Sequence, residues 1–322
     1  MAQKKTRIFC ILVVVAVSGC ARFRSEHVSA TENPEPVSLG SSLQNQQPVL
    51  LDKQAGELNV ANGAPAETSE STATVKTVPD RLSGNIILLK DISDFDEIGV
   101  QFDHSEIHLV GNVPRKKAKI ETKAVALSAD SAECKVVLIR EGTRVVLREE
   151  NSALKRKCTY KIDFSLDGST PLKMDLVRSK VFIEGWSEPI DINLKNGDID
   201  LVSVGQVDVT CVSCNLTGEA LDGPVNFKLE NGNVGLTKLV GPVSGQTIGD
   251  IVLQWKKIST SSEVQLRAPA GDVVLTFPYG VPVAPSVKAK TEVVSKLTPS
   301  DRGVPVNIVA DSGQVKLFRS KR

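Results

Sequence analysis

One five-residue unit dictates what this chain can fold into: Gly, a polar residue, an apolar residue, any residue, and a second apolar residue. It reads Gly197-Asp198-Ile199-Asp200-Leu201, Gly232-Asn233-Val234-Gly235-Leu236, Gly249-Asp250-Ile251-Val252-Leu253, Gly271-Asp272-Val273-Val274-Leu275 and Gly313-Gln314-Val315-Lys316-Leu317. Weaker copies, Gly205-Gln206-Val207-Asp208-Val209 and Gly223-Pro224-Val225-Asn226-Phe227, sit between the first two, and Gly223, Gly232, Gly241 and Gly249 are eight or nine residues apart. Apolar side chains two residues apart point to one face of a strand. Gly allows the positive φ of a tight corner, and the Asp or Asn beside it suits a turn and faces water. No single unit can bury its apolar pair, so the units must stack. The pattern predicts a narrow β-solenoid or β-roll over residues 190–318, at roughly 17–18 residues per coil. An ordinary antiparallel sandwich with Gly turns is the competing arrangement.

Upstream, residues 80–189 read as a β-hairpin-rich part of the same folded region. Lys135-Val136-Val137-Leu138-Ile139 and Thr143-Arg144-Val145-Val146-Leu147 are strands joined across Glu141-Gly142-Thr143. Tyr160-Lys161-Ile162-Asp163-Phe164-Ser165-Leu166 alternates strictly, as a half-buried strand does. Long segments with helical apolar spacing are absent, so the fold class is all-β.

The Gly-Asp units, following Lys180-Val181-Phe182-Ile183-Glu184-Gly185-Trp186, resemble the bacterial putative-adhesin domain. The resemblance spans about residues 85–318 and is strongest over 180–277. It implies short β-repeats preceded by hairpins, and an extended envelope surface that binds or scaffolds; the family has no settled biochemical activity.

The N-terminus sets the compartment. Lys4, Lys5 and Arg7 precede an apolar run from Ile8 to Val17, which is shorter than the about 20 residues of a spanning helix. A positive start, a short apolar stretch and small residues before a cut form a secretory signal. Val17-Ser18-Gly19-Cys20 resembles the lipobox of bacterial lipoproteins. Residues 1–19 are therefore expected to be a signal peptide cleaved between Gly19 and Cys20. The Cys20 thiol would carry a diacylglyceryl unit and hold the mature protein to the membrane, at about 0.8 kcal/mol per buried methylene. Ala21 replaces the Asp that retains lipoproteins at the inner membrane of enterobacteria, which favours the outer membrane of a Gram-negative organism. Residues 20–79 are rich in Ser, Thr, Glu, Gln, Asn, Ala and Pro without apolar periodicity, and are expected to be a disordered tether. Its mean span would be roughly 40–50 Å, and its stretched reach about 200 Å.

The 322-residue chain has a net charge of +1, which with export argues against a nucleic-acid partner. The basic groups Arg115-Lys116-Lys117 with Lys119, and Lys155-Arg156-Lys157, read as solvated turns or edges. The expected partners are the membrane through the lipid, and an envelope polymer or protein.

Four cysteines remain beyond Cys10 and Cys20, an even number in a compartment that permits disulfides. Cys134 shares a face with Val136 and Leu138, and Cys158 with Tyr160 and Ile162, so a Cys134–Cys158 bridge is expected. Val207, Val209 and Cys211 share one parity, whereas Cys214 and Leu216 share the other. A corner at Val212-Ser213 would turn both thiols inward, and a local Cys211–Cys214 disulfide is expected to clamp it. A redox-active pair would ordinarily sit at a helix N-terminus, and no helix is evident there. A zinc site would need two further ligands, which no second CxxC or His pair supplies. His104, Glu106 and His108 would share a face of a straight strand and could bind a transition metal. The apolar phase slips at Asp103-His104, however, which favours a turn or bulge. Asp198, Asp250 and Asp272 recur along one edge as turn-formers, sparser than the nonapeptides of calcium-binding β-rolls. No nucleophile elbow, phosphate loop or HExxH motif occurs, so no catalytic residue, metal or cofactor is assigned. The leading function is a non-catalytic envelope lipoprotein presenting a β-solenoid. The alternatives are a polysaccharide-active solenoid enzyme, which would use aromatic platforms, and a thiol sensor using Cys211 and Cys214.

Overall fold

The computed structural model describes residues 81–83, 86–88, 95–114, 117–126, 134–150 and 158–321. The expected signal peptide, Gly19, Cys20, the expected tether, His27, Arg115-Lys116 and Lys155-Arg156-Lys157 lie outside the described residues.

Among the described residues the chain forms twenty strands and no α-helix. Four long strands, β3 (Glu97–Val110), β8 (Leu172–Glu184), β9 (Ile190–Val202) and β10 (Val207–Glu219), bend once and serve both faces of a flattened coil. Later coils divide at the bend: β11 (Val225–Asn231) with β12 (Val234–Leu239), and β13 (Val243–Gln246) with β14 (Ile251–Trp255). Three more follow: β15 (Val264–Ala268) with β16 (Val273–Phe277), β17 (Val283–Ala289) with β18 (Val293–Ser295), and β19 (Val304–Ala310) with β20 (Val315–Arg319).

The coils stack in parallel. Leu172 lies beside Ile190 and Ile190 beside Val207, steps of 18 and 17 residues. Val207 pairs with Val225 and Val225 with Val243, steps of 18. Val243 then pairs with Val264, a step of 21. The coil is thus as narrow as the Gly spacing implies, and lengthens toward the C-terminal end. The parallel register also reaches upstream of the Gly-Asp units, because β3 pairs along its length with β8.

On its other edge β3 meets β6 (Arg144–Glu149) and β7 (Cys158–Ser165), both parallel to it. Beyond them β5 (Val136–Glu141) and β4 (Lys119–Ala126) run antiparallel, followed by β1 (Arg81–Ser83) and β2 (Ile86–Leu88). The hairpin at Glu141-Gly142-Thr143 is the β5–β6 turn, with Gly142 at φ 66°.

The C-terminal coils are out of chain order. The last pair, β19 and β20, lies against β15 and β16, and the earlier pair, β17 and β18, lies outside it. The end of the chain is therefore an inner coil. Among the described strands β17 pairs with β19 alone, and beyond a single bridge from Val283 to Pro299 its outer edge carries Pro285, which has no N–H to offer, and Lys288. Both features oppose edge-to-edge aggregation.

Each coil buries apolar side chains between its two faces. Ile190, Ile192 and Leu194 point inward from one face and Ile199 and Leu201 from the other, while Lys195 and Asn196 mark the bend where the parity changes. Five or so such side chains per coil, at about 1.5–3 kcal/mol each, supply the main stabilisation. Val204, Leu221 and Leu239 plug the opposite corner. Trp186 and Trp255 fill it too, with indole N–H groups donating to Thr170 O (3.0 Å) and Gly241 O (2.9 Å). Trp255 stacks on Phe277 at 4.9 Å between ring centroids.

The Gly-Asp unit has a double cause. A Cβ at Gly249, Gly271 or Gly313 would land on the carbonyl oxygen of Gly232, Gly249 or Gly271 in the coil beneath. Close approach, rather than positive φ, therefore fixes Gly at these three positions; positive φ joins it at Gly197 and Gly232. The residue after each Gly forms a ladder between coils. Asn215 Nδ2 donates to Asp198 Oδ1 (3.1 Å). The backbone N–H groups of Asn233, Asp250, Asp272 and Gln314 then donate to side-chain oxygens of Asn215, Asn233, Asp250 and Asp272, at 2.8–3.3 Å. Asn215, Asn233, Asp250 and Asp272 thus each satisfy a corner N–H that would otherwise face water.

Candidate binding face

The expected site residues fall into structural roles. Cys134 and Cys158 form a disulfide with Cα atoms 5.9 Å apart; Cys158 is fully buried and Cys134 packs against the same core. Cys211 and Cys214 are bonded to each other, and both are buried on either side of exposed Val212 and Ser213. The parity change expected there is present. Cys211 stands in the column of Leu176, Leu194 and Leu229, and Cys214 in the column of Gly197 and Gly232. Neither thiol lies at a helix terminus.

His104, Glu106 and His108 project outward from β3 and separate into pairs. His104 Nε2 lies 3.1 Å from Arg178 Nη1, Glu106 3.5 Å from Lys161, and His108 3.5 Å from Asp163 with its ring against Phe182. Ser105 between them turns inward and hydrogen bonds Ser179 (2.8 Å). No group of three metal-ligating side chains occurs among the described residues. Asp198, Asp250 and Asp272 are occupied by the corner ladder. Lys119 pairs with Glu121 at 2.5 Å.

One core residue has a perturbed acidity. Tyr160 packs on Phe102 at 5.2 Å, and its hydroxyl pKa is pushed up to about 12 by burial and then by the nearby Glu149 charge. Glu149 is itself buried, accepting the Asp103 N–H at 2.9 Å. It lines a cleft of about 460 Å³ whose walls mix Asp103 and Asp175 with Arg148 and Lys195.

The most ordered array of outward chemistry lies on the face built by the first half of each coil. Parallel register lines up identical positions into rows, one strand spacing apart. The first row begins Lys173, Asp191, Asp208 and continues Asn226, Ser244, Gln265, Asn307, Ser286. The second begins Asp175, Asn193, Thr210 and continues Lys228, Gln246, Arg267, Val309, Lys288. The face is thus acidic toward β8 and cationic toward β17. Across its cationic part runs an open groove of about 680 Å³, floored by Gly245 and Phe227 and walled by Lys228, Gln246, Arg267 and Asn307. A side chain at Gly245 would strike the Phe227 ring, so the absence of one there and the position of that ring shape the floor.

Sequence reasoning missed this array. Lys228 in Val-Asn-Phe-Lys-Leu and Arg267 in Val-Gln-Leu-Arg-Ala occupy the same position of equivalent strands, which is a readable signal. The place of Lys288 depends on the exchanged order of the last two coils, which no local pattern encodes.

No family model matches this chain, and no curated protein matches it. Similar solved structures include two of bacterial origin. One is a putative adhesin from Bacteroides fragilis, 12% identical, with a TM-score of 0.43 over 75% of this chain and 98% of that one. The other is a putative cell adhesion protein from Clostridium sporogenes, 12% identical, with a TM-score of 0.23 over 74% of this chain and 100% of that one.

Proposed function

We propose that this chain is a lipid-anchored, non-catalytic protein of the cell envelope. In this reading Cys20 fastens it to the outer membrane of a Gram-negative bacterium, and its solenoid presents a lateral face that scaffolds or adheres to an envelope polymer or protein. The observation that carries this reading is the registered array: outward side chains repeat in straight rows across successive coils, a geometry suited to an elongated, repetitive partner. The lipobox-like Val17-Ser18-Gly19-Cys20 supports the anchor. Burial of Trp186 and Trp255 in the corners leaves neither as a platform for stacking sugars, which weighs against a polysaccharide-processing role. Burial of both sulfurs of the Cys211–Cys214 pair weighs against thiol exchange, which requires access to the bond.

Metabolic labelling with a fatty acid, comparing the native chain with Cys20→Ala, tests the anchor: label confined to the native chain is expected, and equal label or none would contradict it. A pull-down with the full chain from solubilised envelopes tests the surface. Saturable enrichment of one polymer or protein is expected, and turnover of an envelope polymer by the purified chain would refute the non-catalytic reading.

A further inference from the structure

Resting on that reading, we infer that the cationic half of the lateral face binds a linear anionic polysaccharide carrying one carboxylate per disaccharide. Three cations share one row, and they alternate with uncharged residues: Lys228, Gln246, Arg267, Val309, Lys288. Adjacent strands lie about 4.8 Å apart, so successive cations recur at about 9.6 Å along the solenoid. The alternation exists because the final coil inserts Val309 between Arg267 and Lys288; in chain order Arg267 would be followed directly by Lys288. All three cations are exposed, and none is in an ion pair among the described residues. Lys173, at the acidic end of the same face, and Lys316, on the other face, each meet an aspartate at 3.8 Å.

The neighbouring row supplies the complementary chemistry for hydroxyl groups. Asn226, Ser244, Gln265, Asn307 and Ser286 are exposed, uncharged, and able to donate and accept hydrogen bonds. One row for charge and one for hydroxyls, both running along the stacking axis, matches an extended glycan lying parallel to that axis. Acidic groups lie at the borders: Glu230 beyond Lys228, and Glu263, which accepts from Asn307 Nδ2 at 3.1 Å. A nucleic-acid strand carries a charge about every 3.4 Å, far denser than cations at every second coil. A sparsely charged glycan fits the spacing; a densely charged polymer leaves most of its charges unmatched.

The test is a calorimetric titration of the full chain, in detergent, with hyaluronate oligosaccharides (one carboxylate per disaccharide), polygalacturonate (one per sugar) and neutral dextran. Hyaluronate binding is expected to weaken severalfold as salt rises through the screening range, and to exceed polygalacturonate binding. Lys228→Gln/Arg267→Gln/Lys288→Gln should reduce hyaluronate affinity at least tenfold. Lys161→Gln/Lys180→Gln, on the opposite face, should leave it within twofold. Unchanged binding by the triple variant, preference for dextran or polygalacturonate, or no hyaluronate binding would each overturn the inference. Sedimentation run in parallel addresses a second copy of this chain: a dimer abolished by the triple variant would assign the cations to self-association and overturn it too. Continued enrichment of an envelope component by that variant would leave the lateral-face reading standing, whereas loss of all enrichment by the native chain would remove that reading itself.

Discussion

At Gly313 a single hydrogen atom stands where any other side chain would press on the Gly271 carbonyl, and at Gly235 a Cβ would meet nothing. The two glycines look alike in the sequence and should behave oppositely. Gly313→Ala is expected to destabilise by about 1–3 kcal/mol through overpacking. Gly235→Ala should stabilise by about 0.4–1 kcal/mol by restricting the unfolded chain. Urea unfolding of both variants checks the contrast, and equal effects would refute the close-approach explanation. Tyr160 provides a test of the core. Its folded pKa is raised to about 12 from the ordinary tyrosine value of 10.0, so the unfolded state loses this proton first as pH rises. The stability contributed by neutral, buried Tyr160 is complete below pH 10 and is lost as pH climbs to about 12. Thermal melts should show a fall over that window, shallower in Tyr160→Phe; identical slopes would place the tyrosine outside the core.

At the scale of elements, Cys211 and Cys214 replace a pair that adjacent coils fill with Leu194 and Gly197 below and Leu229 and Gly232 above. Cys211→Leu/Cys214→Gly restores that pair and should fold with a stability within about 1.5 kcal/mol of the native chain, as volume-conserving core changes do. Severing the Cys134–Cys158 link should cost more, roughly 3 kcal/mol for a loop of this length. Chemical denaturation of the two double variants would compare them, and the opposite order would contradict the column assignment. Strand-level features were legible where the pattern is local: the Gly-Asp units, the β5–β6 hairpin, and the parity change at Val212-Ser213. The coils of β3 and β8 were harder to see because Ser105 and Ser179 stand in the glycine column, their hydroxyls bonded to each other, so the repeat is there without its marker. The position of β17 and β18 as the outermost coil was not legible, since equivalent repeats can stack in either order with the same side chains inward. Hydrogen exchange should find β17 and β18 less protected than β19 and β20, although the latter lie nearer the C-terminus.

At the scale of the folded body, the described strands form twelve stacked layers, which at about 4.8 Å apart give an axis of about 50 Å. All layers but one run in the same direction, the exception being the β4–β5 layer. The solenoid itself was legible because the Gly-polar-apolar-x-apolar unit recurs with its apolar pair in register, although the spacing alone also suits an antiparallel sandwich. The outward rows were not, because they are properties of register: Lys228 and Arg267 are 39 residues apart in sequence (267 minus 228) and two layers apart in space. Stacking order can be measured directly with pairs of spin labels on one outward row. With one label at Lys173 and the other at Ser244, Gln265, Asn307 or Ser286, electron–electron distances should rise steadily, from about 19 Å across four layers to about 34 Å across seven. The telling comparison is between the last two: Ser286 must lie about one strand spacing farther from Lys173 than Asn307 does, although it comes earlier in the chain. A Ser286 label closer than the Asn307 label, or distances that do not grow layer by layer, would contradict the stacked solenoid on which the proposed binding face depends.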